Sequence, residues 1–117
     1  MSRARLTLGI FWLAAGAIHF VRPQFYDAIV PPPLDEHARA ITYASGAAEW
    51  LGSALAFAGP RRRARWYLLL LLAAVYPANV WMALEPDKFP DAPHWALIAR
   101  LPVQFLFACH AIAGTRE

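Results

Sequence analysis

The chain has 117 residues, of which 59% are hydrophobic and only 16% are charged, and its formal net charge is +3. Soluble domains are about 45–50% apolar and about 25% charged, so this composition favours a membrane protein with a single domain over residues 1–117. The basic isoelectric point, near 9.5, would also suit a nucleic-acid-binding protein. However, Arg61, Arg62, Arg63 and Arg65 lie together between two apolar segments. That arrangement is typical of membrane topology, and we expect no nucleic-acid partner.

Four apolar segments follow one another along the chain, and about 20 residues cross a typical bilayer core. The first, residues 6–21, is short and needs its flanks, with Arg5 reaching toward the headgroups. Its basic start, apolar core and small residues at 15–17 also fit a cleaved signal peptide, which would leave three spans. The other three segments are each long enough to span: residues 38–58, 66–84 and 95–113.

The basic residues between these segments predict how the chain is oriented. Counting Lys and Arg gives seven on one side against three on the other, and the richer side is normally cytoplasmic. The sequence therefore predicts an all-α bundle of four transmembrane helices with both termini and the 59–65 loop in the cytoplasm. The seven are Arg3, Arg5, Arg61, Arg62, Arg63, Arg65 and Arg116, and the three are Arg22, Arg39 and Lys88.

The two longer loops then face outward. In the first, Phe25, Tyr26, Ile29 and Val30 have helical spacing, which predicts a short interfacial helix over residues 23–30. The second, residues 85–94, contains three prolines and is predicted to be an ordered turn.

Five polar side chains within the apolar segments are the candidate functional groups. A carboxylate in the middle of a membrane helix costs on the order of 3 kcal/mol on insertion scales, so such a residue usually faces a partner or a polar cavity. With the predicted orientation, all five lie between the bilayer centre and the outer face, and small residues on the second segment favour close helix packing beside them. The five are His19, Glu49, Asn79, Arg100 and Gln104.

This cluster has three interpretations. In the first, the cluster is structural, with Glu49 and Arg100 paired and Asn79 and Gln104 completing the hydrogen bonds of the bundle. In the second, it lines a pocket for a small apolar molecule with a polar head, such as a quinone or a lipid. In the third, Glu49 handles protons, because intramembrane carboxylates often serve as relays.

Other reactive residue types carry weaker signals. The single cysteine, Cys109, excludes a disulfide or a Cys-x-x-Cys pair within this sequence, and we expect it to be a small apolar residue and not a nucleophile. The spacing of His19, His37 and His94 matches no metal-binding motif, so no metal site is predicted. No catalytic residue is assigned, and independent catalysis is not expected.

Several ordered motifs resemble the DoxX-like family of small bacterial membrane proteins. They are residues 16–26, 29–32, 45–52, 76–84 and 100–104, and together they cover most of the chain. The resemblance implies a four-helix bundle in the bacterial inner membrane. It places the intramembrane glutamate of that family at Glu49, the histidine before the first loop at His19, the Pro-Ala-Asn segment at Pro77 and Asn79, and the Arg-Leu-Pro-x-Gln segment at Arg100 and Gln104.

The function implied by this resemblance is linked to redox processes. Some members are subunits of a thiosulfate:quinone oxidoreductase, and others associate with redox enzymes in oxidative-stress defence. We therefore expect a membrane subunit or a quinone- or lipid-binding module that partners an oxidoreductase. Association with further copies of the same chain is an open alternative. The alternatives are a membrane enzyme that uses Glu49 in quinone-linked proton transfer, and a purely structural assembly partner.

Overall fold

The computed structural model describes residues 1–116, and all regular elements among them are helical. This confirms the predicted all-α class. Three of the helices are long and apolar enough to cross a membrane: α1, α4 and α5. The elements are α1 (Arg3–Val21), α2 (Pro23–Asp27), a 3-10 turn (Leu34–His37), α3 (Ala38–Ala58), α4 (Arg61–Leu84), a second 3-10 turn (Pro86–Lys88) and α5 (His94–Gly114).

Most helix boundaries follow the apolar segments, but three do not. Helix α1 begins at Arg3, three residues before its predicted segment. The third segment was expected to begin at residue 66, but α4 begins at Arg61, so the arginines form its first turns instead of a loop. No proline or glycine lies between Pro60 and residue 66, and arginine is a good helix former, so the helix can begin directly after Pro60. The interfacial helix expected over residues 23–30 ends at Asp27, and the chain then turns toward Val30.

The four long helices form a ring in which each packs against two neighbours. Helix α1 packs against α3 and α5, and α4 packs against the same two helices. The α1–α3 interface is close because glycines lie in it: a Cβ atom added to Gly46 would lie 2.7 Å from the Cβ atom of His19. Across the same interface Ser53 donates a hydrogen bond of 2.7 Å to the carbonyl of Gly9, and the Trp50 indole donates one of 3.0 Å to Leu13.

The start of α1, the end of α5 and the arginines of α4 lie at one end of the bundle. The Arg5 guanidinium donates hydrogen bonds to the carbonyls of Ala56 (2.5 Å) and Gly59 (2.6 Å), where α3 ends. Arg65 likewise donates to the Oγ1 (3.1 Å) and carbonyl oxygen (2.9 Å) of Thr115, where α5 ends. These arginines supply donors to carbonyls that have no partner within their own helix. The opposite end carries α2 and both 3-10 turns.

Candidate functional site

A cavity of about 370 Å³ runs from the middle of the bundle toward the end that carries α2. All four long helices contribute to its wall, and the segment from Tyr26 to Leu34 covers it. The structure brings all five predicted residues to this wall: His19, Glu49, Asn79, Arg100 and Gln104. Most of the remaining wall is apolar or aromatic, including Phe11, Ile29, Leu71, Val75 and Phe107.

Glu49 pairs with His19 across the α1–α3 interface. The distance between Glu49 Oε2 and His19 Nε2 is 2.9 Å, and the two side chains are only 10% and 8% exposed. The other ring nitrogen, Nδ1, lies 2.8 Å from the carbonyl oxygen of Ala15, one turn earlier in α1. The missing side chain of Gly46 leaves the space in which His19 approaches α3.

This geometry fixes how many protons the pair holds. A carbonyl oxygen only accepts hydrogen bonds, so Nδ1 of His19 must carry a proton. The contact between Nε2 and the carboxylate then needs one further proton, which lies either on the ring or on Glu49. Both arrangements have a net charge of zero. The hydrogen-bonded pair is therefore electrically neutral as a unit.

The expected pairing of Glu49 with Arg100 was wrong. Arg100 lies on the cavity wall but is exposed, and no carboxylate of residues 1–116 lies within ion-pair distance of it. The physical reason is the order of helices around the ring. Helices α3 and α5 are diagonal, whereas α1, which carries His19, packs directly against α3.

Asn79 and Gln104 join α4 to α5 on the other side of the cavity. The side-chain Nδ2 of Asn79 donates a hydrogen bond of 2.9 Å to Oε1 of Gln104. The Nε2 of Gln104, which is buried, donates in turn to the backbone carbonyl of Leu72. This chain of bonds fixes the orientation of both amides, as the structural interpretation of the cluster required.

Two aromatic residues of the cavity wall were not predicted to belong to the site. The ring of Tyr26 stacks on the His19 imidazole, with centroids 3.6 Å apart and planes 15° from parallel. Burial raises the pKa of Tyr26 above its usual value, and the nearby guanidinium of Arg100 acts in the opposite direction. Trp12 is only 4% exposed, and its indole Nε1 has no hydrogen-bond partner among the described residues. The helical spacing around Tyr26 could have suggested a role, but nothing in the sequence distinguishes Trp12 from a lipid-facing aromatic residue.

The segment over the cavity is tied to α3 through Asp27. Its Oδ2 accepts a hydrogen bond of 2.7 Å from Arg39 Nε, and its Oδ1 accepts one of 2.6 Å from Thr42 Oγ1. Burial acts to raise the pKa of Asp27, but the bonds from Thr42 and Arg39 outweigh it and lower that pKa below its usual value. The sequence had identified Asp27 and Arg39 only as outer-loop charges.

A protein-family model matches residues 8–115, a range that includes the whole cavity wall. The chain belongs to that family, a domain of unknown function (DUF8561). Neither the curated proteins nor the solved structures gave a match. The DUF8561 description names no activity, so the resemblance to the DoxX-like family remains a prediction.

The remaining reactive residues of this DUF8561 chain lie apart from the cavity wall. Cys109 is exposed, and His94 Nε2 lies 3.1 Å from the carbonyl oxygen of Ala83. Within residues 1–116, no three side chains of His, Cys, Asp or Glu are grouped so that they could hold a metal ion.

Proposed function

We propose that this protein is a membrane subunit or binding module whose cavity holds a small molecule with an apolar body and a polar head, such as a quinone or a lipid, in support of redox processes. The cavity supports this proposal. Its volume of about 370 Å³ lies at the lower end of the range for ligand pockets, about 300–1,000 Å³. Apolar walls with a few convergent polar groups are typical of such sites.

The redox association and the oxidoreductase partner are supported by the ordered motifs shared with the DoxX-like family. Those motifs include the five polar residues that meet at the cavity, so the resemblance and the site concern the same positions. The same likeness supports placement in the bacterial inner membrane.

The topology that we propose has four spans, with both termini in the cytoplasm. Support comes from the three apolar helices, from α3, which has a similar length within the same bundle, and from the seven-to-three distribution of basic residues. Single cysteines introduced at Arg62 and at Asp87, in a Cys109→Ser background, should be labelled from opposite sides of the membrane. Labelling of both positions from outside intact cells would refute this topology.

A cavity-filling substitution tests ligand binding directly. We would purify the protein from its native membrane into nanodiscs and identify the retained small molecules by mass spectrometry. Ser45→Phe places a large ring on the wall, whereas Ala44→Phe, one residue earlier, places it on an exposed surface. Ser45→Phe should lose the bound molecule and Ala44→Phe should keep it. If the wild type retains nothing, or if Ser45→Phe retains as much as Ala44→Phe, the pocket proposal fails.

A second candidate function is proton transfer to a bound quinone, and the His19–Glu49 pair is the observation that favours it. Reduction of a quinone to a quinol takes two electrons, which an oxidoreductase partner would supply, and two protons. The pair would supply one proton at a quinone oxygen and regain it from water, and water would supply the second proton at the other quinone oxygen. Turnover with a quinone in the presence of that partner should then be abolished by Glu49→Gln while the protein remains folded. Unchanged turnover would remove Glu49 from the mechanism.

The same purification addresses the assembly role. Suppose that an oxidoreductase co-purifies with the wild type and with Glu49→Gln, but not after replacement of residues 23–37. The protein would then act chiefly as an assembly partner, and the loop would be its contact surface.

A further inference from the structure

The charges on the cavity wall do not balance. Its ionisable side chains are those of His19, Tyr26, Glu49 and Arg100. The His19–Glu49 pair is neutral as a unit, because its hydrogen bonds require one shared proton in addition to the proton on Nδ1. Tyr26 is a neutral phenol at physiological pH. Arg100 therefore gives the wall a net charge of +1.

No carboxylate of residues 1–116 neutralises that charge. The two ion pairs among these residues join His19 to Glu49 and Arg39 to Asp27. A guanidinium offers five N–H donors in a planar fork that suits the two oxygens of a carboxylate, and it stays protonated at all accessible pH values.

Arg100 is therefore the group on the cavity wall that calls for negative charge in a ligand. The indole N–H of Trp12 also has no partner among the described residues, but its nitrogen has almost no accessible surface, so a ligand in the cavity would not reach it.

We infer that the cavity selects a lipophilic acid, a molecule with an apolar body and one negatively charged oxygen group such as a carboxylate or phenolate, with Arg100 as its counter-ion. This inference rests on the proposed ligand-binding function and narrows its ligand class. The apolar body would lie among Phe11, Leu71, Val75 and Phe107. A neutral quinone would satisfy the donors but leave the charge of Arg100 uncompensated.

Decanoate and decan-1-ol form a matched pair of probes, because they share the apolar chain and differ in the charge of the head. Binding of each radiolabelled probe to the full chain in phosphatidylcholine nanodiscs would be measured by equilibrium dialysis, and partitioning into empty nanodiscs would be subtracted. A salt concentration of about 0.15 M screens charges more than about 8 Å apart, which limits repulsion from the exposed acids of the loops.

The wild type should bind decanoate about tenfold or more tightly than decanol, a ratio that corresponds to one charge-assisted hydrogen bond gained. Arg100→Gln should bring the two affinities together, and Arg100→Lys should keep most of the preference. Lys88→Gln, an exposed loop cation away from the wall, should behave like the wild type.

Equal affinities of the two probes in the wild type would overturn the inference, and this comparison needs no variant to fold. A full decanoate preference in folded Arg100→Gln would overturn it as well. In both cases cavity binding itself would stand. If neither probe binds and nothing is retained from the native membrane, the proposed function fails together with the inference.

Discussion

The two side chains of the His19–Glu49 pair should contribute unequally to stability. Removing His19 should lower the free energy of unfolding more than removing Glu49. His19→Leu takes away the partner of a buried carboxylate. Glu49→Leu takes away the partner of an imidazole that can remain neutral and keep its Nδ1 bond to Ala15. The double variant places two apolar side chains in contact across a tightly packed interface.

The expected magnitudes follow from burial. Both side chains are at most 10% exposed, so solvent screens the interaction little. Leaving one charge of a buried pair unpartnered costs about 3–5 kcal/mol, which we expect for His19→Leu. Glu49→Leu leaves one neutral acceptor, Nε2, unsatisfied, at a cost of about 1–3 kcal/mol. Replacing both partners by apolar groups is often nearly neutral, so the double variant should be less destabilised than His19→Leu alone.

The free energy of unfolding can be measured by steric trapping in micelles, with circular dichroism as a check on helix content. Ile18→Leu, an exposed apolar exchange one residue before His19, is the control and should change stability by less than about 0.5 kcal/mol. The sum of the two single costs, about 4–8 kcal/mol, should exceed the cost of the double variant by at least about 2 kcal/mol. Additive costs, or a loss below about 1 kcal/mol in His19→Leu, would show that the pair is not coupled as the structure indicates.

Three further predictions test the parts around the pair. Asp27→Asn should speed amide hydrogen exchange over residues 23–30 at neutral pH. Because the folded-state pKa of Asp27 is lowered, its stabilisation is complete above the unfolded value of about 3.9 and is lost as pH falls through the folded value, so wild type and variant should converge in acid. Gly46→Ala should destabilise the fold by about 1–3 kcal/mol, since its Cβ would meet His19 and Phe20 at 2.7 Å, whereas Ala47→Leu on the exposed face should be nearly neutral in the same unfolding assay. Gln104→Leu should cost about 1–3 kcal/mol, because Asn79 and the Leu72 carbonyl both lose a buried partner, and exposed Val103→Leu is its control.

The sequence predicted the members of the cluster but not its pairing. The position of each polar residue along its apolar segment can be counted. That count predicted a similar depth for all five polar residues. Which of them touch depends on the order of helices around the ring, and residue spacing does not encode that order. A useful signal was nevertheless present: Gly9, Gly16 and His19 share a face of α1, and Gly46 and Glu49 lie on the small-residue face of α3. Two small-residue faces, each with one ionisable group, indicate a close interface with a pair inside it.

The residues that were missed have a common explanation. Tyr26 and Asp27 gain their roles from contacts with other helices, Tyr26 by stacking on His19 of α1 and Asp27 by its bonds to Arg39 and Thr42 of α3. Periodicity within residues 23–30 contains no information about those partners. The bond that Trp12 lacks is likewise visible only once its surroundings are known.

The lower apolarity of α3 is itself explained by the site. Average hydropathy treats both faces of a helix alike, and the buried face of α3 carries small or polar residues that serve the interface and the cavity: Thr42, Gly46, Glu49, Gly52, Ser53 and Ala56. Beyond its first turn, every exposed position of α3 is apolar or aromatic: Tyr43, Ala44, Ala47, Trp50, Leu51, Ala54 and Ala58. A soluble helix would show the reverse pattern, with charged groups outside and large apolar groups inside. A helix that brings a carboxylate into a membrane bundle needs its polar face inside and its apolar face toward lipid. The distribution of residues on α3, which separates it from the three helices that are apolar enough to cross a membrane, therefore supports our proposal that α3 is a fourth span.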